Sequence, residues 1–256
     1  MSNILYLFSR KIALVAILAG SPFLGISQDI MKALDSRAEI KPKSNVIDWV
    51  KALPIELTRY DYTETSFVST DKGLIQEGHP DSWLVQVADL DTSNGYIRAN
   101  GYLPGVGDYT PEEQFKVFRK ASGDHILAFN YIDKNSPQQN SLNFYKALKG
   151  KVYELPHSQV LPEVDIYDFI TSEDYNDLQK HFKNAGDIIN ELLVFYYLPR
   201  QGTAIQAGLY YSLSSENKDF MGSLSELIKD KWEVDGFVVY GKVELKWNSK
   251  TEKFEK

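Results

Sequence analysis

The sequence predicts a mainly β protein, an antiparallel meander or sandwich-like set of sheets carrying two or three short helices. Three observations carry this reading. Apolar residues alternate at period two over most segments from Trp83 onward. Compact turn signals such as Asn94-Gly95, Ser122-Gly123 and Lys149-Gly150 separate those segments. Stretches with helical spacing are few and short, and repeated sheet segments of this kind belong to antiparallel β architectures.

The elements follow in order. Within an N-terminal segment, residues 28–82, Ser44-Asn45 caps a short helix over 46–53. Its apolar positions 46, 49, 50 and 53 share one face, and Pro54 stops it. Residues 83–90 read as a strand, 91–95 as its turn and 96–100 as the return. Asn94-Gly95 favours a tight hairpin because both residue types tolerate positive φ. Three glycines and Pro104 make 101–107 a loop. Residues 115–119 are ambiguous. Thr110-Pro111-Glu112-Glu113 looks like a capped helix start, yet Phe115-Lys116-Val117 alternates. The turn at Ser122-Gly123-Asp124 into a clear strand at 125–132 favours a strand.

A hairpin at 142–147 and 151–155 turns on Lys149-Gly150, and a helix over 172–184 opens at Thr171 and ends near Gly186. Residues 192–198 are apolar enough for a central strand. Pro199-Arg200-Gln201-Gly202 then turns the chain into a strand at 203–210. A short helix is expected at 223–231, a long strand at 237–247 and a short one at 252–255. The β-rich domain is therefore 83–256, either one unit or two lobes, 83–156 and 188–256, hinged around 157–190. His125–Ile132 and the stretch 191–198 read alike, but the hairpins after them are unequally spaced. Two strands buried in sheets explain the likeness better than a duplication.

The first residues specify a destination. Arg10 and Lys11 precede an apolar run, 12–20, and then small residues, the layout of a secretory signal peptide, with cleavage expected between Ser27 and Gln28. The run to Ile26 is short for a spanning helix and is interrupted by Pro22. No integral membrane segment is expected after cleavage. Leu18-Ala19-Gly20-Ser21 resembles a lipobox with serine in place of the lipidated cysteine, so no lipoprotein is expected. The whole chain has 28 Lys and Arg against 35 Asp and Glu, a net charge of −7, and cleavage would make it two charges more negative. This balance, without a basic run, argues against nucleic acid as a partner. The chain contains no cysteine, which excludes disulfides, thiol nucleophiles and thiolate metal sites.

No motif assembles a catalytic or cofactor site, so no catalytic, cofactor-binding or metal residue is predicted. His79, His125, His157 and His181 share no metal-ligand spacing. Asp89-x-Asp91-x-Ser93 begins like a calcium loop, but Asn94 and Asn100 stand where glycine and glutamate are needed. Ser69-x-x-Lys72 and Ser215-x-x-Lys218 lack the partner motifs of penicillin-binding enzymes. Gly105-Val106-Gly107 is an incomplete dinucleotide fingerprint. Asp165, Asp168, Glu173 and Asp174 are candidates for a glycosidase carboxylate pair. Trp83, Tyr96, Tyr102, Tyr109, Tyr196, Tyr210, Tyr211, Trp232 and Trp247 offer a stacking platform for sugars or peptides, or else sheet core.

The turn-bearing segments 91–97, 118–126, 197–203 and 246–248 together resemble a loose group of uncharacterised secreted or periplasmic β-rich bacterial proteins. The resemblance runs from about Trp83 to the C-terminus and implies an exported β protein, with no activity to carry to any residue. The leading expectation is an exported, non-enzymatic binding or envelope-associated protein whose partner is a glycan, a peptide or another envelope protein. The alternative is a hydrolase acting on glycans through two carboxylates. A third reading, a purely structural or assembly partner, predicts an exposed sheet edge or apolar patch.

Overall fold

Alternation in the first half of the chain resolves into one antiparallel sheet. The computed structural model describes residues 31–58, 60, 62, 74–75, 84–103, 107–133, 139–183, 185–190, 192–210, 218–228, 230–234 and 237–256. Residues 1–27, Trp83, His79 and both Ser-x-x-Lys serines lie outside these residues. The strands are β1 (Lys32–Ala33), β2 (Leu74–Ile75), β3 (Leu84–Asp91), β4 (Tyr96–Leu103), β5 (Gly107–Arg119), β6 (His125–Ile132), β7 (Ser141–Leu148) and β8 (Lys151–Leu155). From β2 to β8 they form an unbroken meander, and β1 adds to the β8 edge.

Because side chains alternate across a strand, the register divides this sheet into two faces. Ile97, Phe115, Val117, Leu127, Phe129 and Tyr145 face the N-terminal segment, whose helix α1 (Val46–Ala52) inserts Val46, Trp49 and Val50. The helix starts because Asn45 accepts the Asp48 N–H while Asp48 accepts the Asn45 N–H, a reciprocal cap. Trp49 and Val50 are almost fully buried, and each such side chain contributes roughly 1.5–3 kcal/mol. The N-terminal segment thus belongs to the core of the large sheet.

Tyr96, Phe118, Ile126, Ala128, Leu142 and Phe144 line the opposite face, against a second antiparallel sheet. Its strands are β9 (Leu193–Tyr197), β10 (Ala204–Tyr210), β11 (Lys231–Val234), β12 (Phe237–Asn248) and β13 (Lys253–Glu255). The order is β11-β12-β10-β9, with β13 also on β12. The inner face of this sheet is shared. Leu198, Ile205, Ala207 and Leu245 meet the large sheet, while Leu209 and Tyr240 meet the helices α3 (Ser172–His181), α4 (Ala185–Asn190) and α5 (Lys218–Leu227). A one-turn helix, α2 (His157–Val160), and a 3-10 turn, Ile166–Asp168, connect the two halves. The fold is mainly β and sandwich-like, as the alternation predicts.

Several local expectations change. The strand reading of 115–119 holds and extends to Gly107, so Pro111 to Glu113 lie in a strand and no helix forms there. Residues 101–103 likewise belong to β4, leaving only 104–106 outside the described strands. Asn94-Gly95 closes a four-residue loop in which Gly95 has φ +65° and Asn94 stays at negative φ. Asn94 instead donates its backbone N–H and its side-chain amide to Asp91. The two-residue turn with paired positive φ occurs at Lys149-Gly150 (51° and 79°).

The helix expected over 172–184 ends at His181, and α4 follows it. The helix expected at 223–231 starts earlier and gives way to β11, since Trp232 and Val234 pair with β12. The segment expected to be a central strand, β9, is the edge of its sheet. Its apolar character is retained because its inner face is covered, while Asn130 of β6 donates to the Tyr196 carbonyl and Gln114 of β5 accepts the Leu198 N–H just past its end. Among the described residues, no helix is long and apolar enough to cross a membrane.

Candidate ligand-binding groove

At one end of the sandwich, three separate parts of the chain enclose a groove of about 600 Å³. The N-terminal segment supplies Lys43 and Asn45, the large sheet supplies Thr92–Gly95, Lys116–Arg119 and His125, and the second sheet supplies Gly202, Thr203, Trp247 and Ser249. Local bonds hold each part in place. The His125 N–H donates to the Pro42 carbonyl (2.7 Å), and its Nδ1 donates to the Ser44 carbonyl (2.8 Å), which sets the tautomer. Trp247 Nε1 donates to the Arg119 carbonyl at 2.8 Å, and Ala121 N–H donates to the Ser249 carbonyl at 2.9 Å. Lys120 pairs with Glu252 at 2.8 Å. These contacts tie the end of β12 to the end of β5.

Lys116 joins the two sheets at the floor. Its Nζ donates to the Asn94 carbonyl (2.9 Å) and to the Arg200 carbonyl (3.1 Å), one from each sheet's loop. Burial disfavours the ammonium and lowers its pKa to about 8, with Asp91 opposing and Arg119 adding to the shift. Gly95 is required beside it: a Cβ there would stand 3.0 Å from the Val117 Cβ, on a backbone at positive φ.

Charge is distributed unevenly around this end. Asp89 is held by Arg98 (3.1 Å) and Arg200 (2.9 Å), and Asp91 lies 3.6 Å from Arg200. Asp91 also accepts from Asn94, first through the side chain and then through the backbone, and this depresses its pKa. Buried Glu112 lies 3.8 Å from Arg98 and accepts from Gln114 Nε2. The groove itself is lined by Lys43, Lys116, Arg119 and His125, with no carboxylate among its described lining residues. Neither Lys43 nor Arg119 forms an ion pair among the described residues.

Behind the groove lies the polar contact that aligns the sheets. Gln114 Oε1 accepts the Leu198 N–H (3.0 Å) and the Asn130 amide (3.2 Å), and Asn130 also donates to the Tyr196 carbonyl (2.7 Å). Two side-chain amides therefore bond backbone groups at the end of β9 and just beyond it. Gln114 and Asn130 are essentially buried, so a slipped register would strand polar groups without water.

The carboxylates weighed as a glycosidase pair sit in local caps and first turns. Asp165 and Asp168 form the cap of the 3-10 turn, and Asp168 also pairs with Lys256. Asp174 caps Thr171, and Glu173 lies in the first turn of α3. None of these four lines the groove. His157 lines a cleft of about 270 Å³ with Asn130, Asn140 and Tyr196, and His181 ends α3. Among the described residues, no group of three His, Asp or Glu side chains is placed to hold a metal ion.

The aromatic candidates divide as well. Tyr96 is buried between the sheets, and desolvation raises its pKa. Tyr210 and Trp232 lie with Phe195 and Tyr197 on the outer face of the second sheet, and Tyr196 lies on its inner face. Of the five whose side chains are described, Trp247 alone lines the groove. The side chains of Trp83, Tyr102, Tyr109 and Tyr211 lie outside the described set.

Sequence reasoning missed Lys43, Lys116 and Arg119. One signal existed. Glu112, Glu113, Gln114 and Lys116 are polar residues on both faces of a strand that the flanking strands make central, and such residues need partners. Comparisons with protein-family models, curated proteins and solved structures returned no match for this chain.

Proposed function

We propose that this is an exported, non-enzymatic binding protein of the cell envelope, with its ligand seated in the groove between the two sheets. The observation that carries the reading is the convergence on one 600 Å³ groove of polar loops, a half-buried tryptophan and basic side chains from three parts of the chain. That volume lies in the range of pockets that hold small organic ligands. Three of its lining side chains, Lys116, His125 and Trp247, are fixed by hydrogen bonds to backbone carbonyls, which favours recognition with little reordering. The signal-like segment 1–27 supports export, and the acidic balance of the chain as a whole supports a partner other than nucleic acid.

The test is a thermal-shift and tryptophan-fluorescence survey of the purified chain against soluble envelope glycans and peptides. At least one ligand class is expected to raise the Tm and change the Trp247 signal, and Trp247→Phe is expected to remove that change. Turnover of the bound ligand would overturn the non-enzymatic reading. Binding that Trp247→Phe and Thr203→Trp both leave untouched would move the site elsewhere. Export is checked by N-terminal sequencing from the native host, where soluble cytoplasmic protein retaining Met1 would refute it.

A further inference from the structure

Resting on the groove as the binding site, we infer that its ligand is an acidic saccharide, a sugar chain carrying carboxylate, sulfate or phosphate groups. Several cations at this end are already paired with carboxylates. At this end of the molecule, Arg200 holds Asp89, Arg98 lies between Asp89 and Glu112, and Lys120 holds Glu252. Lys43 and Arg119 have no such partner among the described residues, and both line the groove. The third cation, Lys116, is held by two carbonyl oxygens and not by a carboxylate. A chain of net charge −7 thus presents, among its described residues, a cavity lined by three cations and no carboxylate. Charged walls of one sign concentrate ligands of the other, and a guanidinium such as that of Arg119 can bind a carboxylate or sulfate through paired hydrogen bonds.

The remaining lining selects a sugar. Thr92, Ser93, Asn94, Thr203 and Ser249 provide hydroxyl and amide groups suited to a polyhydroxylated chain, and half-buried Trp247 adds an amphipathic ring. The volume exceeds what a bare inorganic anion fills. A peptide bound by strand addition or as an amphipathic helix would use a free strand edge or an apolar groove, whereas this groove is lined by loop tips and the ends of β5 and β12; an acidic peptide held by its charges alone is the competitor that the oligoglutamate probe tests.

Titration calorimetry and fluorescence on the full chain decide the matter with four probes: an oligogalacturonate, a sulfated dextran oligosaccharide, neutral dextran of equal length and oligoglutamate. Both acidic saccharides, or one of them, are expected to bind at least tenfold more tightly than neutral dextran and than oligoglutamate. Comparing the two acidic arms identifies the anion. Arg119→Gln and Lys43→Gln, both surface changes, are each expected to weaken binding roughly fivefold. Arg119→Glu should weaken it further, and added salt should reduce affinity. Equal binding of neutral dextran, or unaltered affinity in the charge variants, overturns the acidic-saccharide inference while leaving the groove as a binding site. Tighter oligoglutamate binding overturns it in favour of a peptide. No binding by any of the four, with another ligand found to occupy the groove, also overturns it.

Discussion

Removing Gln114 is expected to undock the second sheet from the first. The side chain is fully buried, and its Oε1 serves both the Leu198 N–H and the Asn130 amide while its Nε2 serves Glu112. In Gln114→Ala, the Leu198 N–H loses its acceptor at a residue with no solvent exposure. An unsatisfied buried donor costs about 1–3 kcal/mol. Glu112 loses a donor to a buried carboxylate, a hydrogen bond worth roughly 1.5–3 kcal/mol. Asn130 keeps the Tyr196 carbonyl and loses less. The total is about 2.5–6 kcal/mol, a large share of the 5–15 kcal/mol typical of a folded domain.

Equilibrium urea unfolding gives the energy, and hydrogen exchange gives its location. The Leu198 amide should exchange much faster, while Phe129, in the middle of the large sheet, should follow only global unfolding. Gln114→Glu keeps the oxygen that accepts from Leu198 and Asn130 but sets a second carboxylate against Glu112. One of the pair must then bind a proton more tightly when folded, so this variant should recover stability as pH falls from 7 to 5. A cost below about 1 kcal/mol for Gln114→Ala, or unchanged protection at Leu198, would refute the interlock.

Other expectations are read in similar assays. The pKa of Lys116 is lowered from 10.5 to about 8, so the unfolded chain holds the extra proton between those values and stability should rise with pH across that window. Lys116→Met should flatten the rise, and an equal slope in both proteins would count against the assignment. The phenols of Tyr62, Tyr96 and Tyr145 are raised by burial, so they stay protonated in the fold while the unfolded chain ionises near pH 10. Stability should therefore fall above pH 10, and less so in Tyr96→Phe. Gly208→Ala would drive a Cβ into Val239 and to 2.9 Å from the Gly241 carbonyl. Overpacking of this kind costs about 1–3 kcal/mol, and the altered Trp232 packing should change its emission. Tyr62 donates to buried Glu113 at 2.6 Å. A double-mutant cycle of Tyr62→Phe with Glu113→Gln should return a coupling of about 1–2 kcal/mol, and additive losses would contradict a direct bond.

The strands whose alternation and turns agree were legible in advance. The strand at 125–132 and the hairpin around Lys149-Gly150 come out as read. β5 was harder because its Thr-Pro-Glu-Glu segment carries a helix-start pattern, and only pairing with β4 and β6 on both sides makes it a strand. β9 was readable as a strand but not as an edge, since apolar content reports burial of faces and says nothing about which neighbour satisfies the backbone. The Asn94-Gly95 loop failed for a related reason: the Asp91 side chain caps Asn94 and removes the need for positive φ at that residue.

By itself, the order of residues determined a mainly β antiparallel protein, its principal turns, the capped helix on Asn45 and the absence of any thiol chemistry. These properties depend on local conformational preference and on side-chain periodicity, which act over a few neighbouring residues. The tertiary structure alone decided that Lys43, Arg119, His125 and Trp247 share a groove and that Gln114 and Asn130 register one sheet on the other. Those residues come from segments separated by as many as two hundred positions and meet only through packing of the sheets. Electrostatics and hydrogen bonding depend on distance through space, so this groove became visible only when the chain had folded around it.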